Sequence, residues 1–63
     1  MPVLQIYLIE GRTPEQKEAF IAHVTELAVQ DLGVEASSVR VMFLDVPKTD
    51  YAIGGKTAKA LGR

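Results

Sequence analysis

The sequence predicts a small α/β (α+β) fold, formed by a single βαβ unit with a C-terminal hairpin. An aliphatic segment at residues 3–9 comes first, a segment with a strong helix start follows at 14–32, and a second aliphatic segment occupies 39–46. Two strands joined through a helix form a right-handed crossover and therefore run parallel. A length of 63 residues leaves room for one domain, so we expect residues 1–63 to form it.

The first strand is predicted at Val3–Ile9. This stretch is rich in β-branched and aliphatic residues and ends at Glu10-Gly11. Its side chains are apolar at nearly every position, which is typical of a strand covered on both faces. We therefore expect the strand to be buried.

The helix is predicted at 14–32. Thr13 is a suitable N-cap, Pro14 suits the first helical position, and Gln16 completes a capping box. Gly33 is a natural left-handed terminator at the other end. Between these signals, apolar residues recur at helical spacing, namely Phe20, Val24, Leu27, Ala28 and Leu32.

A connector at 34–38, with room for one helical turn, leads to a second strand at Val39–Val46 that Pro47 closes. Alternation places Arg40 on one face with Met42 and Leu44, and the other face carries Val39, Val41 and Phe43.

Arg40 is the charged exception on this apolar face. A buried guanidinium needs a partner. Two alternatives are open: an ion pair with Asp45, Asp50 or a glutamate of another copy, or a bound ligand. After a polar turn, Tyr51–Gly55 is typical of a short hairpin because Gly54-Gly55 permits positive φ, and a short basic tail follows.

Composition excludes several classes of protein. The chain has no cysteine, and one histidine cannot build a Cys/His zinc site. A net charge of −1 argues against nucleic-acid and anionic-membrane binding. No apolar run approaches the roughly 20 residues of a membrane span. We expect a soluble cytoplasmic protein without metal, nucleic acid or membrane contact.

Self-association is predicted from size. A chain this short buries only about 60% of its unfolded surface, so a monomer would be marginal. A two-stranded sheet is also too small to stand alone. Further copies must cover its edges and apolar face, and any site is expected to be shared between copies.

Four residues could form a pocket for an acidic substrate. Pro2 would carry a secondary amine once Met1 is removed, and apolar surroundings or nearby cations would lower the pKa of that amine. Arg12 precedes the helix cap, Arg40 lies in the second strand, and Tyr51 lies in the hairpin. Taken singly, these are also typical of a strand start, a solvated cation, an ion pair and a packed aromatic.

The sequence resembles the 4-oxalocrotonate tautomerase family, also called the 2-hydroxymuconate tautomerases, along essentially its whole length. The resemblance is carried by four segments: Met1-Pro2, Leu8–Thr13 followed by Glu15–Lys17, Ser38–Val41, and Tyr51–Lys56. It implies a tautomerase fold in which two subunits form a four-stranded sheet and three such dimers form a homohexamer.

The resemblance also implies an isomerase of aromatic degradation without a cofactor. Pro2 would act as general base and acid, converting a dienol such as 2-hydroxymuconate to its 2-oxo-3-enoate form. Arg40 of a neighbouring subunit would bind the 2-oxo group and adjacent carboxylate. Arg12 would hold the other carboxylate, and Tyr51 would form part of the apolar wall.

Three positions depart from the family pattern. Tyr51 stands where Phe is frequent, and Arg63 falls one place beyond an arginine of some relatives and is left out of the site. Ile53 stands where related haloacrylate dehalogenases carry an acid. Alternatives are a related hydratase, dehalogenase or decarboxylase acting on small unsaturated or 2-oxo acids, and a non-catalytic self-assembling module.

Overall fold

The computed structural model describes residues 1–63 and confirms the βαβ unit. Its elements in chain order are β1 Val3–Ile9, α1 Pro14–Leu32, a 3₁₀ turn at Ala36–Ser38, β2 Arg40–Val46, β3 Ala52–Ile53 and β4 Lys56–Thr57. β1 and β2 pair in parallel, with Val3 opposite Arg40 and Ile9 opposite Val46. β3 and β4 form a separate antiparallel hairpin.

The helix begins and ends where the sequence predicts. The Thr13 hydroxyl accepts a hydrogen bond from the Gln16 N–H at 3.1 Å, and the Gln16 side chain accepts one from the Thr13 N–H at 2.9 Å. Gly33 has a φ of 66° and donates its N–H to the Val29 carbonyl at 3.1 Å. These caps provide hydrogen-bond partners for backbone groups at the helix ends that have none within the helix. The helix bounds therefore depend on nearby residues alone.

β2 begins one residue later than predicted. Val39 donates its N–H to the Ala36 carbonyl at 3.0 Å and so closes the 3₁₀ turn. The next N–H, that of Arg40, donates to the Pro2 carbonyl at 3.0 Å and starts the pairing with the first strand. Val39, which the alternation pattern assigned to the strand, therefore caps the helical turn predicted in the connector.

The hairpin is confirmed with its turn at the two glycines, but its second strand, Lys56–Thr57, lies in the segment predicted as a basic tail. Gly54 and Gly55 have φ values of 61° and 85°. Two successive positive φ angles are the requirement of a type I′ turn, which suits glycine at both positions. The Ala58 N–H donates to the Tyr51 carbonyl at 2.7 Å and extends the pairing beyond the short strands.

One face of the β1–β2 sheet is covered by α1. Leu4, Ile6 and Phe43 lie on this face and are partly buried. The rings of Phe20 and Phe43 have centroids 6.1 Å apart, within the range of favourable aromatic pairs. This layer between helix and sheet is the chain's main apolar contact.

The other face of the sheet is open. Val3, Tyr7 and Met42 are exposed on it at 51%, 67% and 49%. The expectation that the first strand is buried on both faces is therefore wrong for a single chain. The physical reason is that one crossover helix covers only one side of the two strands.

The chain is more extended than a compact monomer of its length and exposes more surface. Its radius of gyration is 14.7 Å, whereas about 11 Å is expected for a compact chain of this length. Its accessible surface is 4777 Å², against about 4000 Å² for a folded monomer of this mass. Ala58 is the single fully buried residue.

The structure contains no helix that is both long enough and apolar enough to cross a lipid bilayer. The cytoplasmic location stays a prediction.

We expect Met42→Lys to weaken self-association at least about tenfold, because burying an unpaired ammonium in an interface is costly. Ala22→Lys is the matched control, since Ala22 is exposed on α1 with Glu18 and Glu26 one turn away on either side. Sedimentation at graded concentrations measures the effect. If both variants sediment like the parent chain, the open face is not an interface.

Candidate active site

Pro2 lies at the start of β1, partly buried against the helix. It lines a groove of about 330 Å³ together with apolar side chains that include Leu4, Val24 and Leu27. Asp31 is the single charged residue of this lining. An apolar lining disfavours the charged form of an amine, whereas a neighbouring carboxylate favours it.

Met1 still precedes Pro2, so the proline nitrogen is a peptide amide here. The Met1 side chain is 78% exposed, and its removal would disrupt little packing. The Pro2 carbonyl, which accepts the Arg40 N–H, would stay in place. Processing would therefore free a secondary amine without disturbing the start of the sheet.

Arg40 is exposed on the open face, and the expectation of a buried guanidinium is wrong for a single chain. Its Nη1 donates to the Ser37 carbonyl at 2.6 Å. Neither Asp45 nor Asp50 pairs with it: the one salt bridge of the chain joins Lys17 Nζ to Asp45 Oδ2 at 2.6 Å. Asp45 lies on the helix side of β2, because strand alternation sends it to the face opposite that of Arg40.

Arg12 is exposed beyond the carboxyl end of β1 and also lacks a carboxylate partner. It lines a second groove of about 340 Å³, whose apolar lining includes Leu8 and Phe20. Lys17 lines the same groove, but its charge is already matched by Asp45. Arg12 is thus the unpaired cation of this groove, available to an anionic group.

Tyr51 is 45% exposed and lines neither of these grooves. Its hairpin is held at the same end of the sheet as Arg12. The Lys48 N–H donates to Glu10 Oε2 at 3.0 Å, and the Lys48 carbonyl accepts the Lys59 N–H at 3.1 Å. The strand that leads to Arg12 and the segments that flank the hairpin are therefore connected.

The four predicted site residues fall into two groups. Pro2 and Arg40 lie where β1 and β2 begin, whereas Arg12 and Tyr51 lie beyond the ends of these strands. A strand of the seven residues of β1 spans about 23 Å. Pro2 also lines the helix-side groove, while Arg40 is on the open face. A single chain does not bring the four side chains together.

Sequence reasoning missed three residues near these groups: Glu10, Lys17 and Asp31. The Lys17–Asp45 pair had a usable signal, because an acid in phase with the helix-facing Val41 and Phe43 favours a cation on the facing helix. The Glu10 contact had no such signal, because it joins residues 38 positions apart. The position of Asp31 beside Pro2 likewise depends on how α1 packs on β1.

Comparison with known proteins gives a consistent result. Residues 2–61 match the family model described as "Tautomerase enzyme". The 2-hydroxymuconate tautomerase of Comamonas testosteroni is 49% identical over 63 residues, covering all of both chains. A 4-oxalocrotonate tautomerase isozyme structure from Methylibium petroleiphilum superposes with a TM-score of 0.91 at 55% identity, covering 98% of this chain and 100% of that one.

Two of the similar solved structures are oligomers. A fused 4-oxalocrotonate tautomerase (4-OT), an asymmetric trimer, matches with a TM-score of 0.94 at 54% identity. The match covers 100% of this chain and 51% of the fused chain. A heterohexameric 4-oxalocrotonate tautomerase from Chloroflexus aurantiacus has a TM-score of 0.89 at 31% identity, covering 97% of this chain and 98% of that one.

Proposed function

As a member of the tautomerase family this chain is an isomerase, and we propose that it converts a dienol 2-hydroxy acid such as 2-hydroxymuconate to the 2-oxo-3-enoate. One observation carries the choice of an acidic substrate. Arg12 and Arg40 are guanidinium groups without a carboxylate partner in their own chain. Two unpaired cations suit a substrate with a carboxylate at each end.

Pro2, freed of Met1, is the proposed base and acid. Its neutral amine takes the hydroxyl proton of the dienol, and the oxygen's electron pair forms the 2-oxo group. The double bonds shift along the conjugated carbons, and the far carbon takes the proton back from the protonated amine. The nitrogen ends as it began, so proton and electrons balance without an oxidant. Such a base raises the reaction rate roughly 10²–10⁴-fold.

The two arginines of the proposed site, Arg12 and Arg40, are proposed to stabilise negative charge on the substrate. The intermediate is a dienolate, and a guanidinium placed at the developing oxygen charge stabilises it. Arg40 has this role at the 2-oxo end, while Arg12 binds the distal carboxylate. Tyr51 is proposed as part of the wall, where its hydroxyl is free to bond the substrate.

The site is proposed to form between subunits. Two chains that pair antiparallel along their β1 edges make a four-stranded sheet and bring the start of one β1 to the end of the other. Pro2 of one chain then lies near Arg12 of its partner. The open face around Val3, Tyr7 and Met42 supports a further layer of contacts, for which we propose a hexamer of three dimers.

Pro2→Ala is expected to lower kcat on 2-hydroxymuconate at least about 10²-fold, since a primary amine lacks the ring that packs in the apolar groove. Pro14→Ala, which replaces the proline at the helix start, should retain activity. Dienol absorbance gives the rate, and intact mass verifies removal of Met1. Unchanged turnover by Pro2→Ala would exclude the proposed base, as would full activity of a chain that retains Met1.

Arg12→Ala is expected to lower kcat/KM for the dicarboxylate by about tenfold or more, because a charged hydrogen bond to the distal carboxylate is lost. The enol of phenylpyruvate has no such carboxylate and should be affected much less. Arg63→Ala serves as the matched arginine control and should leave kcat/KM unchanged for both substrates. Equal losses on both substrates would remove Arg12 from the distal end of the site.

A mixture of chains tests the sharing of sites. Pro2→Ala and Arg12→Ala chains, unfolded together and refolded in equal amounts, should regain activity in about one site in four, because Pro2 and Arg12 come from different copies. Each variant refolded alone is the control and should stay at its own low activity. A mixture no more active than the average of the two would show that both residues act within one chain.

A further inference from the structure

Glu10 connects the two segments that carry the distal half of the proposed site. It is the first residue beyond β1 and stands two residues before Arg12. Its N–H donates to the Val46 carbonyl at 2.9 Å, which continues the pairing with β2. Its Oε2 accepts the Lys48 N–H at 3.0 Å. Backbone and side chain together fix this residue against the segment that follows β2.

Both backbone polar groups of Lys48 are hydrogen-bonded. Its N–H reaches Glu10, and its carbonyl accepts the Lys59 N–H at 3.1 Å from beyond the hairpin. The neighbouring Ala58 N–H donates to the Tyr51 carbonyl at 2.7 Å, and Ala58 is the one fully buried residue. The Glu10 carboxylate is thus the side-chain link in a series of hydrogen bonds that runs from the end of β1 to the base of the hairpin.

We propose that Glu10 is a positioning residue for the distal end of the substrate site, holding the Tyr51 hairpin in register with the Arg12 segment. This inference rests on the proposed function and adds a residue to it. A carboxylate that binds a backbone N–H makes a charge-assisted hydrogen bond, one of the stronger kinds available to an exposed segment. Its effect on the substrate passes through Tyr51 and Arg12, since the carboxylate itself would repel a dianionic substrate.

Two variants separate positioning from charge. Glu10→Gln removes the charge but keeps a side-chain oxygen that can accept the Lys48 N–H, whereas Glu10→Ala removes both. If Glu10 acts through the bond, Ala impairs the enzyme and Gln restores most of its activity. If Glu10 acts by charge, both variants shift KM equally and downward, because an anion near the substrate carboxylate is lost.

The test measures kcat and KM for 2-hydroxymuconate and for the enol of phenylpyruvate with chains lacking Met1. Glu10→Ala should raise KM for the dicarboxylate about tenfold with kcat changed less than about twofold. Glu10→Gln should stay within about threefold of the parent. Glu26→Ala is the matched control: it also removes one exposed carboxylate and one hydrogen bond, to Gln30 at 2.8 Å, and should change neither constant.

Amide hydrogen exchange provides a readout that does not depend on activity. Glu10→Ala should speed exchange at Lys48, Ala58 and Lys59, while the α1 amides keep their protection. Unchanged exchange at these amides, or faster exchange with an unchanged KM, overturns the inference. A parent chain inactive on both substrates overturns the proposed function and the substrate role of Glu10 with it. The exchange result then shows separately whether the link itself exists.

Discussion

A single helix covers only one face of a two-stranded sheet, and most features of this protein follow from that limit. The opposite face keeps Val3, Tyr7 and Met42 exposed, and the accessible surface exceeds that expected of a monomer of this mass. Neither a disulfide nor a cluster of metal-ligating side chains offsets the small core. In the proposed assembly other copies would supply the stabilising contacts that the chain lacks, which would link its folding to its assembly.

The same geometry keeps the residues of the proposed site apart within one chain. Pro2 lies at one end of the sheet in a mainly apolar groove, and Arg12 lies beyond the other end. The strand between them is too long for both to reach one small substrate. Assembly would therefore complete a site as well as a core. Arg12 and Arg40, which lack a carboxylate partner in their own chain, fit this view, because a charge left unpartnered within a chain is available to a ligand or to a partner subunit.

Features set by neighbouring residues were predictable from the sequence. The capping box at Thr13, the terminator at Gly33 and the paired glycines of the hairpin are all where the pattern placed them. Apart from the start of β2, where Val39 closes the 3₁₀ turn, and the second strand of the hairpin, the errors concern contacts between elements. Arg40 was expected to be buried, with Asp45 among its candidate partners, yet Asp45 binds Lys17 on the helix and Arg40 stays exposed beside Ser37.

The local sequence encodes the order of the elements, the bounds of α1 and the apolar character of the strands, because caps, turn residues and alternation act over a few positions. The packing of the elements against one another selects the face of the sheet that the helix covers, the carboxylate that binds Lys17, and the contact between Glu10 and Lys48. Those contacts join residues far apart in the chain, and their partners are selected by packing geometry that no local pattern encodes.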